Sequence, residues 1–172
     1  DQVLLPDLPD VCPTRNLPPN HHYVGMFGWN PDGELPAEIR DERNVIYLTM
    51  GSTGRPEDFE TILAGLSGFH EYSVVATLGP HVRSDALGPL PDNFRVYPFL
   101  PGDKVLPRAA VVIHHGGMGI LGQCLAAGVP MVCIPANVEQ EVMARQFVEK
   151  RGLGLLVERY GLSPQRLETS VR

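Results

Sequence analysis

The 172-residue chain predicts an α/β protein built on a Rossmann-like, doubly wound parallel sheet. Three observations carry this expectation. From Asn44 onward, strand-like apolar runs alternate with amphipathic helical runs. The strand runs lack polar alternation, as strands covered on both faces require. Two of the turns that follow strands, GSTG (51–54) and HHGGMG (114–119), are rich in glycine, as ligand-binding βα turns in such sheets are.

The elements read in order as follows. VIYLTM (45–50) is the first strand, and RPEDFETILAGLSGF (55–69) is a helix. Pro56 and the acids Glu57 and Asp58 suit the first turn of that helix, and Phe59, Ile62, Leu63 and Leu66 share one face. YSVVATLG (72–79) and NFRVYPF (93–99) are the second and third strands, and DKVLPRA (103–109) is a short helical connection. AVVIHH (110–115) is the fourth strand, and MGILGQCLAAG (118–128) is a helix that ends at Gly128. PMVCIP (130–135) is the fifth strand, EQEVMARQFVEKRG (139–152) a helix and LGLLVE (153–158) the last strand. Ser163 and Pro164 open one more helix close to residue 172, so the final helix is expected to be cut short and the chain to be a fragment of a longer one.

Residues 1–44 differ in character. They are crowded with Pro, Asp and Asn and read as an interdomain linker and entry into the domain, with His21 and His22 as solvated linker residues. The apolar island YVGMFGW (23–29) suggests that part of this segment packs onto the domain of 45–172.

Composition narrows the partners. A formal net charge of −6 argues against a general nucleic-acid or anionic-membrane surface. It leaves room for a local anion site made of backbone N–H groups. The three cysteines, Cys12, Cys124 and Cys133, have no paired spacing, so neither a disulfide framework nor a zinc site is expected. Cys124 and Cys133 read as small core residues. Reduced thiols and the lack of a spanning apolar run favour a cytoplasmic protein without direct membrane insertion. No D-x-D motif and no His/carboxylate cluster is present, so no metal ligand is named.

In a doubly wound sheet, ligands sit beyond the carboxyl ends of the strands where strand order reverses. With strand order 3-2-1-4-5-6, both glycine turns face that crevice. Gly117, Gly119 and Gly122 also spell G-x-G-x-x-G, and Glu139 lies 20 residues beyond Gly119, which imitates a nicotinamide-cofactor fingerprint. That fingerprint belongs in the first βα turn, whereas these glycines lie in the fourth. An NAD(P)-binding oxidoreductase domain is therefore a minor alternative.

Taken together, LPPNHHYVGMFGW (17–29), VIYLTMGS (45–52), FLPGDKVLPRAAVVIHHGGMG (99–119), GVPMVCIPANVEQEVMAR (128–145) and GLGLLV (152–157) carry a resemblance. They resemble the C-terminal, donor-binding domain of GT-B nucleotide-sugar glycosyltransferases, the family of antibiotic-modifying, UDP-glucuronosyl and plant small-molecule enzymes. The resemblance covers about residues 18–160. It implies that His115 hydrogen-bonds the donor diphosphate and stabilises it as it leaves. It likewise implies a phosphate cradle of Gly51, Ser52, Gly116, Gly117, Gly119 and the backbone of Ile120. Phe99 would stack on the base, the backbone of Leu100 would read its edge, Gln123 would bind ribose, and Glu139 and Gln140 would bind sugar hydroxyls. His114, in contrast, reads as a core residue.

This chain departs from the family pattern at four places: Ile120 replaces a Ser or Thr, Gly102 a glutamine, Glu139 an Asp and Gln123 a glutamate. The resemblance implies an inverting, metal-independent transfer of sugar from a UDP-sugar or dTDP-sugar to a small-molecule hydroxyl, with no cofactor. The general base would lie in an N-terminal acceptor domain absent from this chain. A separate donor-binding subunit that pairs with a membrane-associated acceptor subunit is the other alternative.

Overall fold

The computed structural model describes residues 1–28, 30–80 and 82–172; Trp29, the last residue of the apolar island, lies outside them. Among the described residues, six strands form one parallel sheet. They are β3 (Val45–Thr49), β4 (Ser73–Thr77), β5 (Phe94–Tyr97), β6 (Ala109–His114), β7 (Met131–Cys133) and β8 (Gly154–Leu156). Their order is β5-β4-β3-β6-β7-β8, the order expected of a doubly wound sheet.

Strand residues alternate strictly between two helical layers. Ile46 and Leu48 of β3 face α2 (Pro56–Leu66) and α6 (Pro164–Val171), where they meet Phe59, Ile62, Leu66 and Leu167. Val45 and Tyr47 face the other way. There they join Val105 of α3 (Gly102–Val105), Leu121 and Cys124 of α4 (Met118–Ala127), and Met143 of α5 (Val138–Met143). Burial on both faces explains why the strand runs show no polar alternation. The run read as one helix over 139–152 is α5 followed by a π-helical stretch, Ala144–Glu149, which buries Phe147 and Val148.

Residues 1–44 are more ordered than a linker. Strands β1 (Val3–Leu5) and β2 (His21–Tyr23) pair in parallel, so His21 and His22 belong to a strand, and His22 Nε2 lies 2.6 Å from Gln2 Oε1. The segment docks through Val11, Leu35 and, from α1 (Ala37–Arg40), Ile39, all buried in the α4 layer. Arg108 Nε donates to the Arg40 carbonyl at 2.7 Å and Arg151 to that of Asp10 at 3.0 Å. All three cysteines are free thiols. Cys124 and Cys133 are buried as expected, and burial pushes the Cys124 thiol up to about 12. No described helix is long and apolar enough to cross a membrane.

Core and entry segment should respond differently to truncation. Ile113 is 0% exposed at the centre of the sheet and Leu4 is 58% exposed in β1. Ile113→Ala should lower unfolding free energy in urea by about 2–5 kcal/mol. Leu4→Ala should stay within about 0.5 kcal/mol of the parent. Equal losses would mean that the β1–β2 pair belongs to the cooperative core.

Candidate functional site: a crevice at the strand-order reversal

Strand order reverses between β3 and β6. The connection leaving β3 enters α2 on one face of the sheet, and the connection leaving β6 enters α4 on the other. The two diverge and leave a cleft of about 320 Å³ at the carboxyl ends of the strands. Seven of the residues expected at the site line it: Gly51, Ser52, Phe99, Leu100, Gly119, Ile120 and Gln123.

Helix α4 brings backbone donors to this cleft. Its first internal hydrogen bond runs from Leu121 N–H to the Gly117 carbonyl at 3.0 Å, so helix geometry leaves the N–H groups of Met118, Gly119 and Ile120 without an acceptor in the helix. Gly117, at the N-cap, has no side chain to cap them. Two helices that start away from the cleft, α5 and α6, are different. Asn137 caps α5 through a bond from Gln140 N–H, and Ser163 caps α6 through a bond from Arg166 N–H. The two helices that follow the glycine turns, α2 and α4, have no side-chain cap. Uncapped amides and the positive end of the α4 dipole make this the place for an anion.

His115 lies beside these amides with 7% of its surface exposed. Its ring is clamped between two glycines. A Cβ on Gly51 would stand 2.6 Å from Cε1, and one on Gly117 would stand closer still to Nε2. Burial holds the ring below the ordinary histidine range, and the Thr49 backbone offsets part of that lowering. No group among the described residues meets hydrogen-bonding geometry at the buried Nδ1. The ring is thus neutral near pH 7, and its Nδ1 is left without a partner among the described residues.

Gly116 behaves differently from the other cradle glycines. It takes φ +87°, and its N–H donates to His114 Nδ1 at 3.0 Å. That N–H points into the protein and is not offered to a ligand. The same bond turns the chain out of the sheet, so β6 ends at His114 and not at His115. His114 is fully buried, as expected of a core residue, and burial pushes its pKa down to about 3.

The sugar-contact pair departs most from expectation. Gln140 is 2% exposed. Its Oε1 accepts from Ala136 N–H at 2.8 Å, and its Nε2 donates to Thr53 Oγ1 at 2.9 Å. The carboxamide therefore ties the GSTG turn to the loop before α5 and faces away from the cleft. Glu139 is exposed in the first turn of α5 and does not line the cleft.

The base and ribose positions are better placed. Phe99 is 55% exposed, whereas the Leu100 side chain is buried, which leaves only its backbone to meet a ligand. Gln123 Nε2 donates to Asn30 Oδ1 at 3.0 Å. Its Oε1 occupies the space a Gly102 Cβ would need, at 2.6 Å, so the two departures from the family pattern fit each other sterically.

Sequence reasoning missed the floor of the cleft. Tyr47, Thr49 and Thr77 line it, and Tyr47 Oη lies 3.4 Å from Thr77 Oγ1. Thr49 pairs in register with Thr77 on one side and His114 on the other. The available signal was polar residues two apart at the carboxyl end of an otherwise apolar strand. A second cleft of about 380 Å³ lies beyond β7 and β8 and holds none of the expected residues. Of its two cations, Arg159 is paired with Asp58 and Glu57 and Arg55 lies 3.9 Å from Glu57, and the acids Glu141 and Glu158 share the lining, which leaves it little attraction for an anion.

This geometry can be compared with known proteins. The family model of the erythromycin biosynthesis protein CIII-like C-terminal domain matches residues 60–172. The chain belongs to that family. A PGL/p-HBAD biosynthesis glycosyltransferase of Mycobacterium tuberculosis is 33% identical over 176 residues, covering 100% of this chain and 40% of its own length. A PGL/p-HBAD biosynthesis rhamnosyltransferase of Mycobacterium bovis is 34% identical over 174 residues, covering 99% of this chain and 38% of its own length. The chain thus spans about two fifths of these relatives.

Among solved structures, the glycotransferase of kitacinnamycin superposes with TM-score 0.80 at 26% identity, over 99% of this chain and 45% of that one. The glycosyltransferase VinC, solved in complex with dTDP, gives TM-score 0.69 at 30% identity, over 86% of this chain and 37% of that one. The doubly wound sheet of this EryCIII-like domain is that of the C-terminal half of a GT-B glycosyltransferase.

The clamp on His115 can be measured. Gly51 and Gly128 both have left-handed φ, +56° and +67°, but a Cβ on Gly128 meets nothing within 4 Å. Gly128→Ala should cost about 1–2 kcal/mol, the backbone penalty. Gly51→Ala should cost about 1–3 kcal/mol more, the overpacking range. That excess should vanish in a His115→Ala background in a double-mutant cycle. Equal costs at both glycines would show that His115 does not rest against Gly51.

Proposed function

We propose that this chain is the nucleotide-sugar-binding part of a glycosyltransferase that moves a sugar from a UDP-sugar or dTDP-sugar to a hydroxyl of a small molecule. The observation that carries this reading is the set of uncapped α4 amides beside the clamped His115 at the strand-order reversal. Relatives named as glycosyltransferases and a structural neighbour solved with dTDP support the choice of ligand. The G-x-G-x-x-G spacing does not favour a nicotinamide cofactor. It lies in the β6–α4 turn, and a Cβ on its last glycine, Gly122, would face the Met26 side chain 3.5 Å away.

In the proposed reaction the acceptor oxygen attacks the anomeric carbon and forms the new glycosidic bond. The bond from that carbon to the diphosphate oxygen breaks, and the nucleoside diphosphate departs with the electron pair. The acceptor proton passes to a base outside this chain. The share of this domain is electrostatic: the amides of 118–120 and His115 stabilise charge that grows on the leaving diphosphate. Phe99 carries the base, and Gln123 meets the ribose with its carboxamide oriented by Asn30. Glu139 is left as the sugar-contact candidate, with Gln140 bracing the turn behind it.

Calorimetry with UDP, dTDP, GDP and NAD, each with and without chelator, tests the ligand class. UDP or dTDP should bind best and keep its affinity in chelator. Phe99→Ala should weaken that ligand by about 1–3 kcal/mol, the range for base–aromatic stacking, and leave pyrophosphate unaffected. Preferential NAD binding, or binding that vanishes in chelator, contradicts the proposal.

The neutral His115 also predicts a pH dependence. A diphosphate beside the ring favours its charged form, so the bound pKa lies above the lowered free value. Affinity for a nucleotide-sugar, whose phosphodiester groups do not titrate here, should be full below the free pKa and should fall as pH rises through the bound one. His115→Gln should flatten the profile. An unchanged slope in that variant would place the titrating group elsewhere.

A further inference from the structure

We propose that His114 is a positioning residue for the diphosphate turn, its Nδ1 holding the Gly116 N–H so that the α4 amides meet the cleft with the His115 ring beside them. The inference rests on the site reading above and adds a role to a residue otherwise read as core.

Donor and acceptor roles in this cluster follow from its chemistry. A backbone N–H only donates, so the 3.0 Å contact from Gly116 N makes His114 Nδ1 the acceptor. A neutral ring then carries its proton on Nε2. That nitrogen lies 3.4 Å from Cys133 Sγ, on the residue directly across from His114 in the β6–β7 ladder. Sulfur accepts the Nε2 proton, so the two partners fix one tautomer. Both groups are fully buried, and burial pushes the histidine down to about 3 and the Cys133 thiol up, so both stay neutral at working pH.

The turn is wedged from its other side as well. A Cβ on Gly116 would stand 2.9 Å from the Gln140 carbonyl oxygen. His114 below and Gln140 above leave Gly116 one position. The next residues are Gly117, which clamps His115 and occupies the N-cap position of α4 without capping it, and then the three free amides. Releasing the Gly116 N–H would let the turn rotate and move the α4 amides and His115 together. An apolar residue of equal size would fill the same space but could not hold that N–H, so the acceptor at the Nδ1 position carries the role.

Two variants isolate that acceptor. His114→Asn and His114→Leu both branch at Cγ as the imidazole does, and both give up the Cys133 contact. Only Asn places an acceptor where Nδ1 stood. The chain and both variants are titrated with thymidine diphosphate and thymidine, and with uridine diphosphate and uridine, alongside thermal melts. The Leu variant should lose about tenfold in diphosphate affinity, the effect of one hydrogen bond, with less than about a twofold change for the nucleoside. The Asn variant should stay within about threefold of the parent for the diphosphate even where its melting temperature falls.

Equal diphosphate affinity in the two variants, or equal losses for diphosphate and nucleoside, overturns the positioning role. A parent chain that binds nucleoside as tightly as diphosphate overturns the site reading and this inference with it. The ¹⁵N resonances of the His114 ring in the parent chain decide the matter should the Leu variant not fold. An Nε2–H tautomer with Nδ1 as acceptor from pH 5 to 8 supports the role, and an Nδ1–H tautomer overturns it.

Discussion

Everything at the crevice depends on the N–H groups of residues 118–120, which α4 cannot satisfy by itself. A helix in a folded protein covers such groups with a cap, with water or with a ligand. This chain caps α5 with Asn137 and α6 with Ser163, so it has the means to close a helix start. At α4 it places Gly117 instead, which leaves the amides open and gives the His115 ring room beside them. The buried ring stays neutral until a counter-charge arrives. An overall charge of −6 is no obstacle, because a diphosphate responds to these few oriented dipoles at short range.

The site is kept open by ties behind it and at its rim. His114 holds Gly116, Gln140 joins the GSTG turn to the loop before α5, and Asn30 holds Gln123. These side chains reach between elements far apart in sequence: Gln140 spans 87 positions to Thr53, and Gln123 spans 93 to Asn30. A binding face made of backbone and small residues has little side chain of its own to lock it. Its geometry therefore comes from polar partners: the His114 and Gln140 ties lie a layer deeper, where hydrogen bonds are shielded from water, and the Asn30 tie lies at the exposed rim.

This division explains what was legible in the sequence. The strands were, because burial on both faces leaves an unbroken apolar run such as VIYLTM, and Gly128 and Pro164 mark helix ends by backbone chemistry alone. The strand order and the two glycine turns at its reversal followed from the alternation of elements. The roles of Gly116 and Gln140 were not legible, since a glycine does not show where its N–H points, nor a glutamine which way its amide turns. Both depend on partners distant in the chain. The β1–β2 pair was hidden for a similar reason: strands three residues long leave no pattern among Pro, Asp and Asn. The hydroxyl floor of Tyr47, Thr49 and Thr77 left a trace in its spacing, which the apolar character of the run obscured.

The central claim is that the diphosphate rests on the α4 amides between β3 and β6. Backbone amide shifts during titration with thymidine or uridine diphosphate test it most directly. The account predicts the largest perturbations at Ser52 and at residues 117–120, with a smaller one at Gly116, whose N–H stays on His114. Perturbations centred instead on Asn137, Glu158 and Tyr160, around the cleft beyond β7 and β8, would contradict it.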